Sequence, residues 1–306
     1  MERNACPGLR VEALAVWLLF AGVALAVFIT YTRVPSEALY HVSRGGVVGG
    51  ASRALVYANF PLALVAIALV AVSWSKRMGP RLRTIAIASV ALSAVVYWPG
   101  VVRQSNLDAR PINVLAASGV VLSLLLTAVR AQRCGVVTRT GPSRGDALRV
   151  TLAILVLALA IPWIAAETGQ YLGGVPVLGS IFQSGELRSQ PGTPGRHPAV
   201  HHGHHHGMDG TLLVLTALLL SRTLPSLESP RIRTWLAPYL ALMLSYGIGN
   251  IANDFWLEQV VKRGWTDWAI PDVTEPRATT AWAAIVLAAV VIWALWFRPL
   301  ARDTAS

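Results

Sequence analysis

The chain has 306 residues, 54% hydrophobic and only 13% charged, with 26 Lys and Arg against 15 Asp and Glu. Soluble domains carry roughly 25% charged residues, so this composition excludes an ordinary water-soluble globule. The basic surplus would suggest nucleic acid in a soluble protein, but membrane topology accounts for it, and no nucleic-acid partner is expected.

The apolar residues come in blocks close to the roughly 20 needed to cross a hydrocarbon core about 30 Å thick. Eight spans are expected, at about 12–32, 53–74, 82–101, 112–129, 148–167, 209–224, 235–256 and 279–297. They imply one all-α, polytopic transmembrane helix bundle over 1–306, with no separate soluble domain. The first span follows MERNACPGLR. Its apolar run outlasts the roughly 7–15 residues of a signal-peptide core, so it reads as a signal anchor. The longest connection, 168–208, contains VPVLGSIF, too short to span yet apolar enough to lie in the interface.

With the N-terminus placed inside, 16 of the 26 basic residues and 5 of the 15 acidic ones fall on the inner side, a net charge of +11 there and zero outside. That asymmetry follows the positive-inside rule and puts both termini in the cytoplasm of a bacterial plasma membrane, with the loop 168–208 extracytoplasmic. Cys6 and Cys134 then face a reducing compartment, where no structural disulfide is expected. The tryptophans near span ends, Trp98, Trp163, Trp265 and Trp268 among them, read as an aromatic belt.

The chemistry concentrates outside. HPAVHHGHHHGMDG, residues 197–210, holds six of the seven histidines directly before an apolar run. Neutral imidazole ligates zinc, copper, iron and nickel, so His201, His202, His205 and His206 with Asp209 are candidate metal ligands. In a helix starting near His205, Asp209 shares a face with His205 and His206. The seventh span ends SYGIGNIANDFWLEQVV, where Asn250, Asp254 and Glu258 recur every four residues and so lie on one face. The fifth ends IPWIAAETGQY, placing Glu167 at the same level. Ionisable groups at membrane depth are costly, and they usually face a cavity with partners.

Two or three imidazoles among carboxylates suit a divalent transition metal, zinc first, with iron or manganese as alternatives. The reading favoured by these residues is a metal-dependent hydrolase acting on a lipid or lipid-linked substrate, with Glu167 or Asp254 as the catalytic carboxylate and Asn250 and Glu258 in support. The alternatives are a divalent-metal transport or capture protein and a non-catalytic accessory subunit. RGGVVGG lacks the strand and helix of a phosphate loop, and the HExxH and GxSxG signatures are absent. Oligomeric state is not legible.

The orientation carries its own test. A fluorescent protein fused after Ser306 is expected to fluoresce, and an alkaline phosphatase inserted within 178–186 to be active. The reverse pattern would invert the topology.

Overall fold

The computed structural model describes residues 7–33, 43–98, 100–102, 108–138, 141–170, 172, 174–177, 187–190, 193–200, 206–274 and 278–302. They are mostly helical: α1 (Val11–Arg33), α2 (Gly46–Tyr57), α3 (Ala63–Ser73), α4 (Pro80–Ser93), α5 (Pro111–Cys134), α6 (Asp146–Glu167), α7 (His206–Ser221), α8 (Pro230–Trp256), α9 (Thr280–Ile292) and α10 (Arg298–Arg302). Two short strand pairs are added to the expected all-helical plan. One is parallel, β1 (Leu9–Arg10) with β2 (Val136–Val137); the other is an antiparallel hairpin, β3 (Leu187–Gln190) with β4 (Thr193–Pro198), inside the long connection.

Among the described residues, five helices are long and apolar enough to cross a membrane: Val11–Arg33, Pro80–Tyr97, Pro111–Cys134, Asp146–Glu167 and Thr280–Arg302. The chain is thus a membrane-embedded protein that contacts lipid. Each of the eight expected segments is helical, but three depart from a simple span. The segment 53–74 is broken: α2 and α3 meet at 66° around Ala58–Leu62, where Pro61 has no amide to donate. With both halves taken as one broken span the count is six. The helix α7 has only 16 residues. The helix α8 has the length, 27 residues, but its Asn250, Asn253 and Asp254 lower its apolarity.

The core is built around α7, which is buried along most of its length. It packs closely on α8, where Gly210 and Gly247 face each other. A Cβ on Gly210 would come within 2.4 Å of the Gly247 carbonyl oxygen, and one on Gly247 within 2.7 Å of the Gly210 carbonyl oxygen. Only paired glycines allow this backbone approach, the small-residue contact typical of helices in lipid.

At one end of the bundle, Leu9 donates its amide to the Gly135 carbonyl at 3.0 Å, tying the start of α1 to the end of α5. Cys134 lies beside that strand pair, its sulfur accepting from Arg130 Nη1 at 3.0 Å, and it is disulfide-bonded. The expectation of unpaired thiols is therefore corrected. Strand pairing brings distant segments together in a way that residue-by-residue topology does not reveal. Disulfides persist in oxidising compartments, so this bond and the arginine count point in opposite directions on orientation. Arg144, Arg149, Arg222, Arg231 and Arg233 sit at this same end, called here the arginine-rich end.

Gly247→Leu is expected to destabilise the bundle by at least the roughly 1–3 kcal/mol typical of overpacking, because a backbone carbonyl cannot move aside as a side chain does. Thermal unfolding in detergent reads the effect, and a variant as stable as wild type would refute the close crossing.

Candidate functional site

The opposite end of the bundle gathers polar side chains from five helices. Tyr31 comes from the end of α1, Arg53 and Tyr57 from α2, Trp163 and Glu167 from the end of α6, His206 and Asp209 from the first turn of α7, and Asn250 and Asp254 from the end of α8. After Trp256 the helix widens into a π-turn, Leu257–Val261, which carries Glu258 and leads to Lys262. Arg53, Glu167, Asp209, Asn250, Asp254, Glu258 and Lys262 are each no more than 5% exposed.

The helix α7 starts inside this cluster. The first-turn amides of a helix lack intrahelical acceptors, and in an apolar bundle each must find a partner. Asp254 Oδ2 accepts the Gly207 amide at 2.8 Å, so a carboxylate from α8 caps α7. His206 and Lys262 lie within electrostatic reach of Asp254. Gly207 is required for a second reason: a Cβ there would lie 2.3 Å from the Trp163 ring. That ring lies across the helix start and turns its Nε1 to donate to Glu258 Oε2 at 3.0 Å. Glu258 Oε1 is 4.0 Å from Lys262 Nζ. Lys262 also donates to the Ala199 carbonyl at 3.4 Å, pinning the connection just before the histidine-rich segment.

A second group lies on the other side of α7. The Arg53 guanidinium sits 5.2 Å from the Tyr31 ring centroid and 5.7 Å from that of Tyr57, two cation–π contacts in a desolvated place. Glu167 and Asp209 are within electrostatic reach of it, and Tyr57 faces Asp209. Asp209 and Asp254 also sense one another, so the two groups form one electrostatic unit. Asn250 donates to the Tyr246 carbonyl at 2.8 Å, while its Oδ1 accepts no hydrogen bond among the described residues.

Glu167, His206, Asp209, Asn250, Asp254 and Glu258 are thus brought together as the sequence suggested. His201, His202 and His205 lie outside the described residues. Among the described residues, no three His, Cys, Asp or Glu side chains converge closely enough to hold a metal ion. Three residues of the cluster escaped the sequence, Arg53, Tyr31 and Tyr57, whereas the pairing of Lys262 with Glu258 is the one its i, i+4 spacing suggests. Trp163, read as belt, is instead 1% exposed, whereas Trp98, Trp265 and Trp268 are exposed. The four-residue spacing of Arg53 and Tyr57 inside an apolar run was the available signal. Elsewhere, Asp108 accepts from the Ser43 hydroxyl at 2.6 Å and Arg110 donates to the Gly100 carbonyl at 3.2 Å, so both serve loop structure.

Next to the cluster, α4, α8, α9 and the α2–α3 break enclose an apolar cavity of about 90 Å³, lined by Phe60, Tyr97, Tyr239, Met243, Tyr246 and Trp282. Tyr239 donates to the Leu64 carbonyl at 2.8 Å and Tyr246 to the Thr274 carbonyl at 2.7 Å. With these hydroxyls engaged elsewhere, the phenols present ring carbons to the space.

Arg53→Met is expected to cost roughly 3–5 kcal/mol, because it leaves buried carboxylates uncompensated. Adding Asp209→Asn should recover a large part of that loss. Equal thermal stability of wild type and Arg53→Met would show that Arg53 is not the counter-ion.

Compared with known protein families, curated proteins and solved structures, the chain has no match.

Proposed function

We propose that the chain is a plasma-membrane protein whose extracytoplasmic end forms a His/carboxylate centre for one or more divalent transition metal ions, zinc first, with iron or manganese as alternatives. On this reading it is a metal-dependent hydrolase, or a related enzyme, working on a lipid or lipid-linked substrate. The observation that carries the reading is a charge surplus: Glu167, Asp209, Asp254 and Glu258 are buried together against two fixed cations, Arg53 and Lys262, with His206 beside them. Buried carboxylates in such excess favour either protons or a bound cation. His201, His202 and His205, immediately before α7, would supply the further imidazoles, with His206 and Asp209 at the helix start.

A metal bound there would lower the pKa of its water toward roughly 7. Glu167 or Asp254 would take the proton of that water, and Asn250 and Glu258 would position its neighbours. Asp254 also caps α7 through the Gly207 amide. The apolar cavity beside Tyr246 supports a substrate with a hydrocarbon portion. Transport has less support: along α7 toward the other end, the buried polar side chains are Thr211, Thr216 and Ser221, with no carboxylate or imidazole to relay an ion.

The test is metal analysis by mass spectrometry on dialysed, untagged protein in detergent. Wild type is expected to retain close to stoichiometric metal, and a His205→Ala/His206→Ala variant to lose it. Substoichiometric, readily exchanged metal in wild type would refute the centre and favour a non-catalytic accessory subunit.

A further inference from the structure

The arginine-rich end holds a feature unrelated to the candidate centre. The helices α1, α6 and α7 diverge around a crevice of about 360 Å³. Leu19 of α1, Ala153 of α6 and Leu215 and Leu219 of α7 form its apolar wall. From Thr211 to Ser221, Leu215 and Leu219 are the only residues of α7 that are not buried. They lie four apart, so this otherwise enclosed helix shows one narrow stripe, and it shows it here. The flanking faces are lipid-type surface, with Leu18 58% exposed on α1 and Ile154 62% exposed on α6.

The closed end of the crevice is charged. Arg149 and Arg222 share Asp146, with Arg149 Nη1 3.0 Å and Arg222 Nε 3.1 Å from Oδ1. Arg222 Nη1 also lies 3.0 Å from Glu12 Oε1. Arg149 is 5% exposed and stacks 5.1 Å from the Trp296 ring centroid. Its Nε donates to the Ser221 hydroxyl at 2.9 Å and its Nη1 to the Arg144 carbonyl at 2.9 Å, whereas its Nη2 donates to no acceptor among the described residues. Two arginines thus meet two acids at the foot of an apolar slot, and Arg149 keeps one donor without an acceptor among the described residues.

We propose that this crevice binds an anionic phospholipid of the adjoining leaflet, one acyl chain lying against Leu215 and Leu219 and the phosphate set on Arg149 and Arg222. The layout matches such a lipid in order as well as in composition. Hydrocarbon wall gives way to guanidinium donors at the helix ends, the level at which headgroups sit, and basic pockets between helices select anionic headgroups. Arg149 Nη2 is a buried donor with no acceptor among the described residues, and the Arg222 guanidinium, 23% exposed, is the more accessible of the two. Continuity with the lipid-facing surfaces of α1 and α6 gives the chain an entry from the side.

The test compares phosphatidylglycerol with phosphatidylcholine of identical chains, by native mass spectrometry and thermal stability of the full chain in detergent. Wild type is expected to retain phosphatidylglycerol roughly ten- to thirtyfold better, as two arginine contacts would give. Arg149→Gln/Arg222→Gln should lose that preference. Ala153→Phe, which fills the slot and leaves every charge in place, should lose the bound lipid altogether. Equal retention of the two lipids by wild type would overturn the site, as would an Ala153→Phe variant that keeps the preference, or inorganic phosphate stabilising as well as the lipid does.

Discussion

A helix too short to cross the membrane organises this protein. At 1.5 Å per residue the 16 residues of α7 extend about 24 Å, less than a hydrocarbon core about 30 Å thick. Enclosed by its neighbours, α7 must begin inside the bundle, and its first-turn amides must be satisfied there. Asp254 meets that demand from α8, and Trp163 closes over the helix start where only Gly207 leaves room. The polar centre is the consequence: Asp254 is drawn among the helices by the Gly207 amide, and the neighbouring Glu258 takes the Trp163 indole donor and lies beside Lys262.

The second carboxylate pair has a different origin. Glu167 and Asp209 lie on the side where Arg53 enters from α2 between two tyrosine rings. An arginine 0% exposed beside such acids costs less than an arginine alone, yet replacement of the whole set by hydrocarbon would be cheaper still. Arrangements that folding alone would not favour are where function is to be sought. The break between α2 and α3 serves this arrangement, because it lets α2 approach α1 at an angle while α3 continues into the bundle.

The helices and the grouping of carboxylates at one end of the bundle were legible in the sequence because both depend on local pattern. Apolar runs mark spans, and carboxylates at four-residue spacing near a span end mark a shared face. That was enough to associate Glu167, Asp209 and Asp254 although more than 80 residues separate the first from the last. Arg53 was not legible in the same way. It stood at the edge of an apolar run, where an arginine ordinarily faces water, and only packing between α1 and α2 reveals that it is enclosed. The disulfide at Cys134 was misjudged for a related reason. Topology assigns a compartment, but the pairing of Leu9–Arg10 with Val136–Val137 is a long-range contact with no local signature. RGGVVGG opens α2, since glycines that weaken a helix in isolation also allow it to lie close to a neighbour.

The same three helices carry polar networks at both ends. At one end, α1, α6 and α7 contribute Tyr31, Glu167 and Asp209; at the other, Glu12, Asp146 with Arg149, and Ser221 with Arg222 beyond it. Along α7 between them the buried polar side chains are Thr211 and Thr216, and a crevice opens beside Leu215 and Leu219 at the arginine-rich end. Helices are stiff along their axes, whereas side chains packed across a gap adjust at small cost. In α6 that stiffness is interrupted by Pro162, five residues before Glu167, so each end of the helix is set by its own local contacts. The Arg149–Asp146–Arg222 network therefore organises the arginine-rich end, whereas the candidate centre is held by Arg53, Trp163 and the start of α7.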